Sequence, residues 1–307
     1  NDAYIDLHID EILALDLVNV KAIKAANLKV VVDGVNSTGG IAIPLLLEAL
    51  GVQPVKLFCT PNGEFPHNPE PLKEHLGDLM REVVTQGADF GIVVDPDVDR
   101  LAFVDEKGEM FGEEYTLVAV ADYVLANTSG NTVSNMSSSR ALRDITNKHN
   151  GRYTASAVGE VNVVQMMKDT KAVIGGEGNG GIIYPELHYG RDSLVGVALF
   201  LSHLVEQKTT VSGLRASYPS YFMSKQKIAL TPQIDVDAIL EKMADAYKTE
   251  EITTIDGVKI DFESNWVHLR KSNTEPIIRI YTEAATQDAA DTLANTIIGE
   301  IKQIAGL

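Results

Sequence analysis

The 307-residue sequence has little cysteine, a shortage of basic residues and no long apolar run. The single cysteine, Cys59, excludes an intrachain disulfide and is typical of a reducing compartment such as the cytoplasm. Because no run reaches about 18 apolar residues, the sequence predicts no membrane span. Lysine and arginine number 26 against 43 acidic residues, a formal net charge of −17. Nucleic-acid binding needs clustered basic side chains, so this balance argues against it.

Strand and helix patterns alternate along the first part of the chain. Three apolar runs predict strands: LKVVVD (28–33), PVKLFC (54–59) and DFGIVV (89–94). Helical patterns separate them, including one predicted over 69–87 with Gly87 at its end, and a second block of the same kind follows the segment TSGN (128–131). This alternation is typical of mixed, mainly parallel sheets with helices on their faces. We therefore predict two α/β domains, at residues 1–128 and 129–222.

The last part of the chain has a different pattern. The segment ITTIDGVKIDF (252–262) predicts a hairpin that turns at Asp256 and Gly257. Two further strand patterns, WVHLR and IIRIYTE, precede a final helical pattern at 286–305. These elements predict an α+β domain with an antiparallel sheet at residues 223–307.

Three aspartates, Asp95, Asp97 and Asp99, come directly after the strand at 89–94. Two like charges about 4 Å apart repel by roughly 4 kcal/mol at an effective dielectric near 20. Mg²⁺ reverses that effect because it prefers hard carboxylate oxygens, and ligands collect at the carboxyl ends of parallel strands. Arg100 follows at once, a cation beside a metal as phosphoryl transfer uses. The sequence favours a magnesium site.

Two other interpretations of this aspartate loop (95–100) stay open. The alternating carboxylates alone are also typical of a solvated turn. Counting Asp95 as the first position of a calcium-binding EF-hand places Glu106 at the twelfth, as that motif requires. The sixth position should be glycine, however, and it is Arg100. The flanking patterns are strands, so a calcium-binding structural module is the weaker alternative.

A glycine loop, GEGNGG (176–181), contains the spacing G-x-G-x-x-G. A dinucleotide site would need a helix directly afterwards, but IIYPE follows, and Glu177 would face a pyrophosphate. A carboxylate and an amide suit neutral hydroxyls better, since Glu accepts from O–H and Asn both donates and accepts. We predict that Glu177 and Asn179 bind hydroxyl groups, with a flexible turn as the alternative.

A basic loop, RKSNTEPIIR (270–279), joins the two predicted strands near the end of this acidic chain. Guanidinium groups with hydroxyl and amide donors match a phosphate monoester. The candidate residues are Arg270, Lys271, Ser272, Asn273, Thr274 and Arg279. A polar turn with unrelated arginines is the alternative.

The three loops, in this order, resemble those of the α-D-phosphohexomutases, which include phosphoglucomutase, phosphomannomutase and phosphoglucosamine mutase. DPDVDR (95–100) is similar to the magnesium loop Asp-Gly-Asp-x-Asp-Arg, with Pro96 in place of glycine. GEGNGG is similar to the sugar loop Gly-Glu-x-Ser-Gly, with Asn179 in the serine position. RKSNTEP (270–276) is similar to the phosphate loop. The resemblance runs from end to end and implies the second, third and fourth domains of a four-domain fold.

The resemblance also implies roles for the residues. Family members transfer a phosphoryl group between the 1- and 6-positions of a hexose phosphate through a bisphosphate. Asp95, Asp97 and Asp99 would hold Mg²⁺, and Arg100 would stabilise charge on the transferring group. Glu177 and Asn179 would bind the sugar hydroxyls. The non-reacting phosphate would be held by Arg270, Ser272, Asn273, Thr274 and Arg279.

The first family domain, which carries a phosphorylated serine usually within Thr-Ala-Ser-His-Asn-Pro, has no counterpart in this sequence. TAS occurs at 154–156, but AVGE follows it, so we do not expect the nucleophile there. We expect this chain alone to be inactive, with the missing N-terminal domain of the same polypeptide as its partner. A non-catalytic sugar-phosphate-binding protein is the alternative. Asn179 points to phosphoglucosamine and Asn273 to phosphomannose, so the preferred sugar stays open between glucosamine, mannose and glucose phosphates.

Overall fold

The computed structural model describes residues 3–229, 234–272 and 277–306. The chain forms two compact units. The N-terminal unit comprises Asn1–Ala155 and Gly159–Tyr218, and the C-terminal unit comprises Ser156–Val158 and Pro219–Leu307. The boundaries of the three predicted domains stay predictions.

The N-terminal unit contains helices packed around two sheets. Its helices are α1 (Ala3–Leu13), α2 (Val20–Ala26), α3 (Gly39–Ala49), α4 (Gly77–Gln86), α5 (Glu113–Asn127), α6 (Ala141–Lys148), α7 (Glu160–Thr170), α8 (Ser193–Gln207) and α9 (Val211–Ala216). Its strands are β1 (Lys29–Asp33), β2 (Gln53–Leu57), β3 (Phe90–Val94), β4 (Leu101–Val104), β5 (Asn131–Asn135), β6 (Tyr153–Ser156), β7 (Ala172–Glu177) and β8 (Gly181–Ile183).

The two sheets have the same strand order. The first runs β2-β1-β3-β4 and the second β6-β5-β7-β8. In the first sheet β1 pairs in parallel with β2 and β3, whereas β3 and β4 form an antiparallel pair. In the second, β5 and β7 are parallel and β7 and β8 antiparallel. The predicted mixed, mainly parallel sheets are confirmed. The β3–β4 and β7–β8 hairpins hold the same position in their sheets.

Helices α5 and α8 form the buried centre of the N-terminal unit. All residues from Ser193 to Leu204 of α8 are buried, as expected of a helix that is largely apolar on every side. Phe200 on α8 stacks on Phe103 of β4, with 3.8 Å between ring centroids, and Phe111 contacts both edge-on. Strand β3 is also buried along its whole length, which explains its unbroken apolar run.

One predicted helix is shorter than its pattern indicated. The sequence predicted a helix over 69–87, but α4 begins at Gly77, after a 3₁₀ turn at Lys73–His75. Pro69 and Pro71 explain the difference, because proline lacks a backbone donor and restricts the residue before it. The predicted end at Gly87 is confirmed by its left-handed φ of 55°.

The C-terminal unit is an antiparallel sheet with two helices, as predicted. Its elements are β9 (Phe222–Ala229), α10 (Val236–Ala246), β10 (Glu251–Thr253), β11 (Val258–Asp261), β12 (Trp266–Lys271), β13 (Ile277–Ala284) and α11 (Gln287–Ala305). The strand order is β10-β11-β12-β13-β9, with every neighbouring pair antiparallel. The predicted β10–β11 hairpin is confirmed, with Gly257 at a φ of 70°. Across the described residues, no helix combines the length and apolar character needed to cross a bilayer.

Candidate active site

The aspartate loop folds around the side chain of Asp95, directly after β3. One carboxylate oxygen of Asp95 accepts the backbone N–H groups of Asp99 and Arg100, at 3.0 and 2.9 Å. The Val98 N–H also donates to the Asp95 carbonyl at 3.2 Å. Carboxylate oxygens of Asp95, Asp97 and Asp99 lie within 4.8 Å of one another as a result. The structure therefore brings together the three predicted metal ligands.

The charge on this cluster fits a divalent cation. Burial, with repulsion from Asp99 and Asp97, raises the pKa of Asp95 to about 7. Burial and Asp97 also raise the pKa of Asp99, although Arg191 opposes the shift. The Oδ1 atom of Asp99 is buried and has no hydrogen-bond partner among the described residues. Mg²⁺ binds hard carboxylate oxygens, and a cluster of partly buried carboxylates that repel one another suits this cation.

Val98, between two of the aspartates, has a strained backbone. Its φ of 62° is uncommon for a β-branched residue and costs on the order of 1–3 kcal/mol. The Val98 side chain is buried, and its carbonyl accepts the Ser193 N–H at the start of α8, at 3.0 Å. The surrounding structure thus holds the loop in a conformation that the chain would not adopt alone.

The glycine loop forms the turn of the β7–β8 hairpin, so a strand and not a helix follows it directly. Its geometry therefore does not match a dinucleotide-binding fingerprint. Glu177 ends β7 and is buried. One of its oxygens accepts from the Asn135 amide at 2.8 Å and from the Gly159 N–H at 3.3 Å, and the other from Arg191 at 3.0 Å. A carboxylate can accept about four hydrogen bonds. Because three are already made, a substrate hydroxyl can donate about one more without displacing an existing partner.

Polar contacts fix the rest of the glycine loop. Ser138 accepts the Gly178 N–H at 2.9 Å and donates to Asn135 at 3.1 Å. Gly180 has a φ of 90°, and its carbonyl accepts the Leu101 N–H at 3.1 Å. Leu101 begins β4, so the glycine loop is bonded to the other sheet, next to the aspartate loop. Asn179 is partly exposed, with its Oδ1 3.3 Å from the Gly181 N–H.

Arg191 connects the two loops. Its guanidinium donates to Asp99 of the aspartate loop and to Glu177 of the glycine loop. A third carboxylate, that of Glu160, lies 3.4 Å from its Nε atom. The Arg191 side chain is only 13% exposed, so these charge pairs are largely shielded from water. The metal-type and hydroxyl-type ligands therefore belong to one continuous site.

Arg100 lies beside the aspartate cluster, where the sequence placed it. Its Nε atom is 3.5 Å from Asp95 and 3.9 Å from Asp99, while Nη1 donates to Glu70 at 3.1 Å. The side chain is 30% exposed. It can therefore reach an incoming anion by giving up its bond to the exposed Glu70.

Strands β12, β13 and β9 bring basic side chains together across the C-terminal sheet, beside the basic loop. Arg270 of β12 lies directly opposite Arg279 of β13, which lies opposite Lys227 of β9. Directly opposite side chains share a face, and like charges there are destabilising. Asp256 compensates Arg270, with a carboxylate oxygen 3.0 Å from Nε. The remaining excess of positive charge suits an anion.

The other residues predicted for this loop contribute less to the geometry. The Ser272 N–H donates to the Ile277 carbonyl at 3.1 Å and closes the strand pair. Asn273 and Thr274 lie outside the described residues.

An open groove of about 410 Å³ extends along the sheet from Arg279; its lining residues are Lys225, Gln226, Lys227, Ile277, Arg279 and Tyr281.

Comparison with known families matches nearly the whole chain in three consecutive parts. Residues 6–108, 112–221 and 227–300 match the families described as "Phosphoglucomutase/phosphomannomutase, alpha/beta/alpha domain II", "alpha/beta/alpha domain III" and "C-terminal domain". The chain belongs to the phosphoglucomutase/phosphomannomutase family. The resemblance predicted from the three loops is confirmed.

Individual members of the phosphoglucomutase/phosphomannomutase family support this assignment. The chain is 37% identical over 277 residues to a phosphoglucomutase/phosphomannomutase of Thermococcus kodakarensis, covering 89% of this chain and 60% of that protein. It is 31% identical over 308 residues to a probable phosphoglucosamine mutase of Methanopyrus kandleri, covering 99% and 67%. A solved family member from Burkholderia thailandensis superposes with a TM-score of 0.79 at 25% identity, over 92% of this chain and 63% of that one. The chain thus spans about three fifths to two thirds of these relatives.

Two residues of this candidate site, Arg191 and Asn135, were not among the predicted site residues. Asn135 ends β5, just as Glu177 ends β7 and Asp33 ends β1. The rule that selected Asp95, a polar residue at the carboxyl end of a parallel strand, applies to each of them. Asp33 is also paired, with His67 Nε2 3.0 Å from its carboxylate. This contact raises the pKa of His67.

A buried histidine beside the basic loop should make the C-terminal unit sensitive to acid. His268 donates through Nε2 to the Asp256 carbonyl at 2.7 Å, and burial lowers its pKa from 6.5 to about 4. Because the unfolded chain takes up this proton more readily, stability is full above pH 6.5 and falls as the pH drops toward 4. We expect a loss on the order of 2 kcal/mol.

Urea unfolding at several pH values, followed by Trp266 fluorescence, measures this effect. Trp266 is the only tryptophan of the sequence and is buried in the same unit. His268→Gln should flatten the pH dependence between 6.5 and 4. An equal pH dependence in the parent and the variant would show that His268 is not responsible.

Proposed function

We propose that this chain forms the metal-, sugar- and phosphate-binding part of a phosphohexomutase. The enzyme would move a phosphoryl group between the 1- and 6-positions of a hexose phosphate through a bisphosphate. The observation that supports this most strongly is Arg191, which joins Asp99 of the aspartate loop to Glu177 of the glycine loop. A solvated turn or an independent calcium loop would not need that link. The relatives carry mutase names, which favours the same conclusion.

In this proposal Asp95, Asp97 and Asp99 hold Mg²⁺, which when bound supplies Lewis-acid stabilisation of the phosphoryl oxygens. Arg100 binds an oxygen of the transferring group and releases Glu70 as it does so. Its fixed guanidinium then offsets the charge that develops during transfer. The buried Asp95 carboxylate needs no reorganisation, because backbone N–H groups already orient it.

The glycine loop would hold the sugar. Glu177 accepts a hydrogen bond from a sugar hydroxyl at the acceptor position that Asn135, Gly159 and Arg191 leave available. Asn179 is partly exposed and can donate as well as accept. Hydroxyl contacts of this kind suit a sugar that must bind in two orientations, since neither group recognises the phosphate itself.

The basic loop would hold the phosphate that does not react. Arg270 and Arg279 share one face of the sheet, and an anion between them offsets their repulsion. Ser272, Asn273 and Thr274 would add hydroxyl and amide donors. A local basic site of this kind allows an acidic protein to bind an anionic substrate.

The serine nucleophile would come from an N-terminal domain of the same polypeptide that is absent from the 307-residue sequence. Ser156, of the segment TAS, does not fit the role, because it is buried and donates to the Ala157 carbonyl at 2.8 Å. The favoured substrates are phosphoglucosamine and phosphomannose, and the single cysteine fits a cytoplasmic enzyme.

Mutase assays on two versions of the protein test this proposal. We expect the longer polypeptide with the serine domain, given Mg²⁺, to interconvert hexose 6- and 1-phosphates. The 307-residue chain alone should show no turnover, and Ser156→Ala in the longer polypeptide should change nothing. Phosphorus NMR with the 6-phosphates of glucosamine, mannose and glucose would rank the substrates. Turnover by the chain alone would contradict the missing nucleophile. Binding without turnover in the longer polypeptide would favour the non-catalytic alternative.

A further inference from the structure

A second group of metal-type ligands lies in the N-terminal unit, apart from the aspartate loop. It comprises His8 on α1, His188 in the segment after β8, and Asp192 at the N-cap of α8. One ligand atom from each residue lies within 4.8 Å of the others. None of the three side chains belongs to the mutase site proposed above. We call these residues the histidine cluster.

The geometry of the histidine cluster is close to that of a metal site. The Nε2 atoms of His8 and His188 lie 2.7 and 3.1 Å from the same oxygen of Asp192. Ligand atoms of a tetrahedral Zn²⁺ are about 3.3 Å apart, given Zn–N and Zn–O bonds of about 2.0–2.1 Å. The two histidine–aspartate distances would therefore lengthen by about 0.6 and 0.2 Å to admit the ion between the three ligand atoms.

The carboxylate of Asp192 is held in place for this role. Its other oxygen accepts the N–H groups of Leu194 and Val195, at 2.7 and 3.2 Å, which cap α8. These bonds orient the carboxylate so that its Oδ2 faces the two imidazoles. Contacts of this kind fix a ligand before the metal binds.

The histidine cluster is also accessible. The side chains of His8 and His188 are 34% and 43% exposed, whereas that of Asp192 is 6% exposed. An ion can enter from the histidine side, and water can complete its coordination. Two imidazoles and one carboxylate suit Zn²⁺, whereas Mg²⁺ prefers oxygen ligands alone. The two clusters should therefore select different ions.

We propose that His8, His188 and Asp192 bind one Zn²⁺ ion. The ion would cross-link α1 to the start of α8, next to Arg191 in the sequence. Because only the folded chain brings these ligands together, Zn²⁺ should raise the thermal stability of the N-terminal unit. The proposal does not depend on mutase activity, and it concerns a different ion.

Cobalt substitution tests the proposal directly. Co²⁺ is added to tag-free protein in excess Mg²⁺, in a Cys59→Ser background that removes the one thiol. We expect the strong visible absorption of tetrahedral Co²⁺, saturating at one equivalent and abolished by Zn²⁺. Zn²⁺ should also raise the melting temperature. Protein that shows no stoichiometric Co²⁺ or Zn²⁺ binding would overturn the proposal.

Matched histidine variants locate the ion. His8→Gln and His188→Gln should each abolish the Co²⁺ absorption and the Zn²⁺-dependent rise in melting temperature. Circular dichroism confirms that each variant is folded, and two variants from different segments guard against a local defect. His75→Gln, in the 3₁₀ turn before α4, should bind as the parent does. Parent-like absorption in His8→Gln or His188→Gln, or its loss in Asp97→Asn, would place the ion elsewhere and overturn the proposal.

Discussion

Replacing Arg191 with glutamine should lower mutase turnover by roughly 100-fold or more and destabilise the N-terminal unit by about 3 kcal/mol. The variant leaves Asp99 and Glu177 without their shared cation, and both carboxylates are shielded from water. Removing one partner of a buried ion pair strands the charge of the other. The two loops would also lose their common anchor, and small displacements of reacting groups have large effects on rate.

Two further variants separate the effect on catalysis from the effect on folding. Arg191→Lys keeps the charge but replaces the planar guanidinium, whose two Nη atoms bond Glu177 and Asp99 separately, with a single nitrogen, so stability should recover more than turnover. Arg152→Gln, at an exposed arginine after α6, should behave as the parent. The measurements are kcat at a temperature where every variant is folded, and urea unfolding of each protein. Parent-like kcat in Arg191→Gln would refute the proposed link between the loops.

Replacing Asp97 with asparagine should weaken Mg²⁺ binding but should leave the stability of the metal-free protein equal or slightly higher. Asp97 is exposed, so an isosteric change should leave the fold intact. We expect weaker Mg²⁺ binding and a fall in kcat of roughly 100- to 1,000-fold, because the cation supplies several kcal/mol of charge stabilisation. Without the cation, the variant should be as stable as the parent or slightly more stable, since Asp97 repels Asp95 and Asp99.

Thermal unfolding with and without Mg²⁺, together with mutase assays, checks both effects. Mg²⁺ should raise the melting temperature of the parent much more than that of Asp97→Asn. Asp169→Asn, at an exposed acid on α7 that accepts a hydrogen bond from Gln165, is the matched control. An equal Mg²⁺-dependent shift in the parent and Asp97→Asn would remove Asp97 from the proposed metal ligands.

The elements that carry the site could be predicted because their signals are local. Strand β3 is an unbroken apolar run, so its end and the position of Asp95 follow from the sequence. The boundary of α4 was less accurate, since two prolines outweighed an otherwise helical pattern at 69–72. Local patterns also identified the antiparallel sheet of the C-terminal unit.

The contacts that join the site could not be predicted in the same way. Arg191 and Asp99 are 92 positions apart in the sequence, and Asn135 and Glu177 are 42 apart. Such pairs depend on how strands and helices pack, which residue spacing does not encode. The sequence distinguishes Arg191 only as the first residue of an Arg-Asp pair that precedes a helical pattern. Asn135 could have been found by listing the polar residue at the end of each parallel strand.

The two sheets share one strand order, although the motifs of the two sequence blocks show no internal repeat. The aspartate loop and the glycine loop have unrelated residues, yet each is the turn of the hairpin after the last parallel strand. One architectural position therefore presents three carboxylates in one sheet and a carboxylate with an amide in the other. A hairpin turn can change its residues without altering the strands that support it. In the glycine loop the replaceable residue is Asn179, because a side chain on Gly178 would meet the Glu114 carboxylate and Gly180 holds a φ of 90°.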